Sequence, residues 1–356
     1  MENNVIFRKE AFGELGYDRK DGSLLIPKKM TIEKVLTQKL SSPIFVVWEI
    51  TGKCNLNCMH CSSKSESEDM NLKECYKLID ILKKEKIFHA TISGGEPFLR
   101  KDLFNILSKL NKNNISFDIC SNGAFLNEDI VKKLKKACPK RVYISFDGLK
   151  DTHDSIRAEG SYEKALKSLR LLKHENFDVG VIITLMKANF SELEEIIKFL
   201  VKEKIKFAKV NDLMPANLPV KEYIEKRLTN EQLEKAVSIL EKYKNVMDID
   251  SEVLIDFSFK KTYKYNFCGL GRFVARIKNN GELTPCSFFS EDYGNILKID
   301  FQKDFWNNHG LEKMAKFPVK CLNCKKNYFC NGGCRVISNH LLGDACLPDP
   351  RCPHLK

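Results

Sequence analysis

The feature that most constrains the fold is a regular alternation of apolar runs and amphipathic stretches over residues 44–212. Strand-like runs fall at 44–50, 88–93, 116–120, 141–146, 179–185 and 206–212. Between them, apolar residues recur at helical spacing, as in Leu72, Cys75, Ile79 and Leu82, or Leu193, Ile196, Ile197 and Leu200. Six such repeats predict an α/β fold with a parallel sheet and right-handed crossovers, a partial (β/α)6 parallel barrel followed by a small cysteine-rich domain. In this architecture the working face lies at the carboxyl ends of the strands. Polar, glycine-containing segments fall there after four successive strands: 51–61, Ser93-Gly94-Gly95-Glu96-Pro97, Ser121-Asn122-Gly123 and Ser145-Phe146-Asp147-Gly148. Turn chemistry alone does not account for such a series.

The first segment carries Cys54, Cys58 and Cys61 at C-x3-C-x2-C. Three thiolates can hold three irons of a cubane and leave the fourth iron open, whereas an electron-transfer cluster fills all four positions. Taken alone, the triplet also fits a zinc knuckle. Eleven of the fourteen cysteines lie in two groups, 54–61 and 268–352. The N-terminal residues Met1-Glu2-Asn3-Asn4 show no basic head followed by an apolar core, and no apolar run reaches the ~18–20 residues of a membrane span, so a cytoplasmic location is expected. Clustered thiols in a reducing compartment read as metal ligands. Cys75, Cys120 and Cys138 stand apart, and Cys75 reads as a buried small hydrophobe on a helix face.

The net charge of +12 is spread over helix faces, as at Lys132-Lys133 and Lys135-Lys136. With no interleaved aromatics, no nucleic-acid partner is expected, while attraction for an acidic peptide or anionic substrate stays open. Residues 5–25 read as strand, turn, strand, with the turn at Asp21-Gly22; Thr31 to Leu40 reads as a short helix. Thr229-Asn230-Glu231-Gln232 reads as a capping box opening a helix to about Tyr243. The expected organisation is an N-terminal hairpin and helix (1–40), the partial barrel (41–215), a helical connector (216–260) and the cysteine-rich region (261–356).

Cys54, Cys58 and Cys61 after strand one, with Gly94-Gly95-Glu96-Pro97 after strand two, resemble the signature of the radical SAM superfamily. The resemblance implies that the three thiolates hold a 4Fe–4S cluster whose open iron is chelated by S-adenosylmethionine (SAM). Reductive cleavage would then release a 5′-deoxyadenosyl radical that abstracts hydrogen from the substrate, the cofactor doing the hard chemistry. It further implies that Gly94 and Gly95 allow close backbone approach to the methionine moiety and that Glu96 accepts from its ammonium. Ser145 and Arg157 are candidates for its carboxylate. Asn122, Asp147 and Asn189 are candidates for the ribose, and His60 for a place near adenine. A catalytic acid or base is not identified; Tyr263, Tyr265, His89 and Glu49 are plausible by position alone.

The second group comprises Cys268 and Cys286, framing a hairpin that turns at Asn279-Asn280-Gly281, then Cys321-x2-Cys324-x5-Cys330-x3-Cys334, Cys346 and Cys352. Alone these spacings also suit a zinc ribbon. Behind a radical SAM core they resemble the SPASM domain, which carries two auxiliary iron–sulfur clusters, for three in all. By motif order one auxiliary cluster takes Cys268, Cys286 and Cys334, and the other Cys321, Cys324, Cys330 and Cys352. Either Cys346 completes the first, or that cluster keeps an open iron. Ser287 stands where anaerobic sulfatase maturases carry Asp, which argues against that branch. The layout looks nearer the maturases of pyrroloquinoline quinone and mycofactocin, and similarly near radical enzymes that trim haem precursors. The readings are modification of a ribosomally made peptide or peptide-derived cofactor precursor, modification of a tetrapyrrole, or a non-catalytic metal scaffold. The first implies a peptide substrate with a separate leader-binding protein, and an external electron donor of the flavodoxin or ferredoxin type.

Overall fold

Parallel strands covered by helices on their outer face need branched apolar residues there, and this chain supplies them. The computed structural model describes residues 5–30, 35, 38–63, 65–215, 217–250, 273–289, 291, 293–316, 318–324, 330, 332–352 and 354–355. The chain opens with three antiparallel strands, β1 (Val5–Glu10), β2 (Gly13–Asp18) and β3 (Leu24–Leu25). The expected turn before β3 is present, closed by Gly22 N–H donating to Asp18 O (2.7 Å). A tighter turn at Ala11-Phe12, before Gly13 at φ +130°, was not foreseen. The helix expected over 31–40 lies largely outside the described residues.

The main body then runs β4 (Phe45–Glu49), α1 (Leu72–Lys84), β5 (His89–Ser93), α2 (Leu103–Lys112), β6 (Ser116–Ser121), α3 (Glu128–Ala137) and β7 (Arg141–Ser145). It continues through α4 (Lys150–Ile156), α5 (Ser161–His174), β8 (Val179–Leu185), α6 (Lys187–Phe190), α7 (Leu193–Lys202) and β9 (Phe207–Asp212). All six expected strands are present and pair in parallel in chain order. The longer helices bury an apolar stripe, as α1 does with Cys75, Leu78, Ile79 and Leu82.

The sheet is longer than expected. After α8 (Val220–Lys226) and α9 (Asn230–Tyr243), which Thr229 and Gln232 open as a capping box, β10 (Asp248–Asp250) pairs in parallel with β9. The hairpin of β11 (Val274–Ile277) and β12 (Leu283–Thr284) does not stand apart: β11 pairs in parallel with β4. The order is thus β10-β9-β8-β7-β6-β5-β4-β11-β12. Helices α10 (His309–Ala315) and α11 (Arg335–Leu342) lie in the cysteine-rich region. No helix among the described residues is long and apolar enough to cross a membrane.

The concave face is polar and closed at its foot. Tyr17 of β2 stacks on Phe88 (ring centroids 5.7 Å apart) and meets His89, which lies 3.4 Å from Asp118. Arg8 is buried and donates to the carbonyls of Pro43 (2.9 Å) and Ser42 (2.8 Å). The N-terminal strands therefore seal the amino end of the sheet, and the carboxyl end stays open.

Candidate active site

The site is built at the carboxyl ends of β4 to β9. Gly95 N–H donates to Thr51 O (2.7 Å) and Glu96 N–H to Lys53 O (2.8 Å), so the glycine loop is braced on the cysteine loop. A Cβ on Gly94, at φ +120°, would lie 2.4 Å from Thr51 O, and one on Gly95 2.1 Å from Lys53 O. The glycines are thus demanded by contact between the two loops, a reason internal to the protein.

Cys54, Cys58 and Cys61 border one cavity of about 240 Å³, together with His60, Ser145 and Arg157 among others. N–H groups point at the sulfurs: Leu56 N–H at Cys54 (3.4 Å), Asn122 Nδ2 at Cys54 (3.9 Å) and Arg157 Nη1 at Cys58 (3.8 Å). Burial pushes the Cys54 thiol up and the Cys58 thiol up to about 11, against which the Leu56 N–H and the Arg157 charge favour the thiolates. Among the described residues no His, Cys, Asp and Glu side chains converge on a single-ion position. Three free cysteines, two of them with N–H groups aimed at their sulfurs, fit a cluster with three protein ligands and one open corner.

Glu96 is fully buried. Its Oε1 accepts from Ser121 Oγ (2.9 Å) and Phe98 N–H (3.2 Å), and its Oε2 from Asn122 N–H (2.8 Å). A carboxylate has about four acceptor positions, so one is left for a ligand. Burial raises its pKa to about 7, which a neighbouring ammonium would reverse. His60 borders the cavity, and burial lowers its pKa to about 4, leaving it neutral.

Two of the expected ribose contacts do not border this cavity. Asp147 and Asn189 are both fully buried and spent on the protein. Asp147 Oδ2 accepts from Arg157 Nε (2.6 Å), and its Oδ1 from Thr184 N–H (2.7 Å). Asn189 Nδ2 donates to Asp147 O (2.7 Å), and its Oδ1 accepts from Met186 N–H (2.8 Å). Together they aim Arg157 at Cys58. Of the three ribose candidates only Asn122 borders the cavity, along with Ser145 and Cys120.

A second cavity of about 280 Å³ shares Glu49, Ser62, Ser63, Ser287 and Phe288 with the first. Glu49 is buried; its Oε1 accepts from Arg276 of β11, and Arg276 also donates to Ser287 O. Pro215, Leu218, Phe289 and Val336 form apolar wall. Of the positional candidates for acid or base, Glu49 reaches both cavities. His89 sits at the closed foot of the sheet, away from them, which removes it. Tyr263 and Tyr265 lie outside the described residues.

Cys321, Cys324, Cys330 and Cys352 border one small cavity, the four expected to share a cluster. Cys286, Cys334 and Cys346 are half-buried against the core, and Cys268 lies outside the described residues. One buried ion network escaped the sequence reading. Arg351 donates to Asp349 (Nη2 to Oδ2, 2.7 Å) and to Asp212 at the end of β9, while Asp349 Oδ2 accepts from Cys334 N–H (2.9 Å). It ties the strand ends to the backbone beside Cys334 and Cys352. Asp and Arg 139 residues apart give no sequence signal.

Residues 48–200 match the family model described as the radical SAM superfamily. These residues form a radical SAM domain. As a radical SAM enzyme the chain uses SAM and a 4Fe–4S cluster. The mycofactocin maturase MftC of Mycolicibacterium smegmatis is 26% identical over 327 residues, covering 88% of this chain and 83% of that protein. The Fe-coproporphyrin III synthase of Methanosarcina barkeri is 26% identical over 368 residues, covering 91% of each. Among solved structures, Streptococcus suis SuiB bound to its precursor peptide SuiA superposes with a TM-score of 0.78 at 16% identity, covering 99% of both chains. The last likeness is one of fold.

Proposed function

We propose that this radical SAM enzyme modifies a ribosomally made peptide or a peptide-derived cofactor precursor. Cys54, Cys58 and Cys61 are the cluster ligands in this reading. Glu96 meets the SAM ammonium, Arg157 and Ser145 its carboxylate, Asn122 its ribose and His60 its adenine. Bound there, the cluster and SAM supply the 5′-deoxyadenosyl radical. The chain's own part is to aim Arg157 through Asp147, to hold the donor groups at the sulfurs, and to keep the foot of the sheet closed to water.

The observation that carries the peptide reading is the second cavity. It lies beside the first, with Glu49, Ser62, Ser63, Ser287 and Phe288 lining both. At about 280 Å³, as bounded by described residues, it lies at the lower end of small-ligand sites. It takes a side chain with its flanking backbone and is small for a planar tetrapyrrole with its carboxylate arms. The MftC relative and the peptide seen with SuiB point the same way. The tetrapyrrole reading is the alternative, because the coproporphyrin synthase is equally similar.

Residues 261–356 form the SPASM part in this proposal, with two auxiliary 4Fe–4S clusters. Cys321, Cys324, Cys330 and Cys352 hold one; Cys268, Cys286 and Cys334 hold the other, with Cys346 as its fourth ligand or an open iron in its place. An external flavodoxin or ferredoxin supplies electrons, a separate protein presents the peptide leader, and the enzyme works in the cytoplasm. The test is anaerobic reconstitution followed by 5′-deoxyadenosine assay with short peptides encoded beside the gene, and in parallel with iron coproporphyrin. Peptide-stimulated cleavage with a mass change in the peptide supports the proposal. Turnover of the porphyrin alone transfers it to the second reading, and absence of 5′-deoxyadenosine from fully loaded protein removes both.

A further inference from the structure

Asn279 is a turn residue between β11 and β12, yet it is 1% exposed. An asparagine at a hairpin tip normally faces water; this one is used up inside the protein. Its Nδ2 donates to Ser67 O (2.9 Å) and Asp69 Oδ1 (2.9 Å), and its Oδ1 accepts from Ser67 Oγ (3.2 Å). Its carbonyl accepts from Met70 N–H (2.8 Å). Asp69 passes the contact on. Its Oδ2 accepts from Thr51 Oγ1 (2.6 Å) and its Oδ1 from Gly52 N–H (2.9 Å), at the start of the cysteine loop.

The chain of bonds does not stop at the loop's first residues. Thr51 Oγ1 accepts from Lys53 N–H (3.1 Å), the residue before Cys54, and Thr51 O accepts from Gly95 N–H (2.7 Å). A Cβ on Gly52 would meet Ser65 O at 2.6 Å and Asn279 Nδ2 at 3.2 Å, so the loop sits directly against the tip. From the other side Arg100 donates to Ile50 O and Met70 O, both at 2.6 Å. The entry to the cysteine loop is thus held between an arginine of the barrel and an asparagine of the C-terminal hairpin.

We propose that Asn279 and Asp69 are positioning residues for SAM binding and cleavage: a clamp by which the C-terminal hairpin sets where the Cys54 end of the cluster loop lies. Neither touches the cluster. They act through Thr51 and Gly52, whose carbonyl and amide place Cys54 and Gly95 relative to each other. Because Cys286 follows β12 on the same hairpin, the clamp also makes the placement of the SAM cluster depend on the cysteine-rich region being folded. The inference rests on cluster and SAM binding alone, and holds for a peptide or a tetrapyrrole substrate.

The test uses the full chain, anaerobically reconstituted, with SAM as the probe. Its readout is the SAM-induced change in the electron paramagnetic resonance of the reduced cluster, titrated to give an affinity. Asn279→Ala is expected to weaken SAM about tenfold or more, as loss of a buried hydrogen-bond partner of a carboxylate does. Iron held by the C-terminal cysteines stays at the wild-type level. Ser67→Ala removes one bond of the clamp and no charge, and is expected to weaken SAM severalfold with the unfolding midpoint unchanged. The exchange Asp69→Asn with Asn279→Asp, which restores a donor–acceptor pair between the two positions, is expected to recover part of what each single change loses. Wild-type affinity in Asn279→Ala overturns the proposal. So does uniform loss of all iron in that variant together with wild-type affinity in Ser67→Ala, since the asparagine would then serve only to hold the fold. A wild-type protein that binds no SAM marks failure of the enzyme reading instead.

Discussion

Glu96→Gln separates the buried carboxylate's role from its shape. Burial pushes Glu96 up to about 7 from an ordinary 4.5, although Asn122, Phe98 and Ser121 donate to it. The sign follows from linkage. The folded, ligand-free protein binds this proton more tightly than the unfolded chain, so stability falls as pH rises from about 4.5 to about 7. Above pH 7 the charged carboxylate, buried without a cation against it, costs on the order of 3 kcal/mol. An ammonium beside it favours the ionised form and offsets that cost. SAM affinity should therefore be flat above about pH 7 and fall by up to about tenfold per unit below it. Glutamine removes the charge and turns an amide donor toward Asn122 N–H or the Ser121 hydroxyl. Loss of a charge-assisted bond of about 1.5–3 kcal/mol predicts a rise in Kd of roughly 10- to 150-fold. The assay is anaerobic SAM titration of the reconstituted enzyme from about pH 6 to about pH 8.5, read from the reduced cluster's resonance. The expected result is weak, pH-independent binding by the variant. Wild-type affinity with the wild-type pH slope in Glu96→Gln would refute the assignment.

Three further outcomes follow from the geometry. Gly95→Ala places a Cβ 2.1 Å from Lys53 O, so the two loops must part; the SAM-dependent signal should vanish while the iron held by the C-terminal cysteines persists. Arg351→Met leaves Asp212 and Asp349 buried without their cation, and should cost about 3–5 kcal/mol in anaerobic denaturant unfolding. With the three clusters proposed, Cys321→Ser should lower iron by about 4 from about 12 per chain, with SAM binding retained; an unchanged count removes Cys321 as a ligand.

The sequence is most readable where one local rule decides the outcome. Short apolar-rich runs alternating with helical periodicity set the six barrel strands, and Thr229 with Gln232 set the start of α9. The turn at Ala11-Phe12 was missed because it lacks the Asn-Gly or Asp-Gly signal, the work being done by Gly13. Strand β10 was missed because two of its three residues are aspartates, and pairing with β9 overrides their low propensity. At the site, the motifs identify the loops but not which polar groups reach the cavity. Asp147 and Asn122 both follow strand ends, yet one lies beneath Arg157 and the other borders the cavity. Nor can spacing reveal Asn279 against Asp69, or Arg351 against Asp212, since each pair is made by the tertiary fold.

The seat of β11 beside β4 has a consequence for synthesis. Arg276 and Glu49, which meet across that seam, are 227 residues apart in the chain. At ordinary translation rates Arg276 follows Glu49 out of the ribosome after roughly 10–45 seconds. Throughout that interval the row of amide and carbonyl groups along one side of Phe45–Glu49 has no strand to meet, next to the cysteines proposed to hold the cluster. A bare, apolar strand edge is a template for joining other chains. Nascent copies of this protein are therefore exposed to self-association until translation reaches the hairpin, and fragments that end before residue 274 should aggregate when made alone.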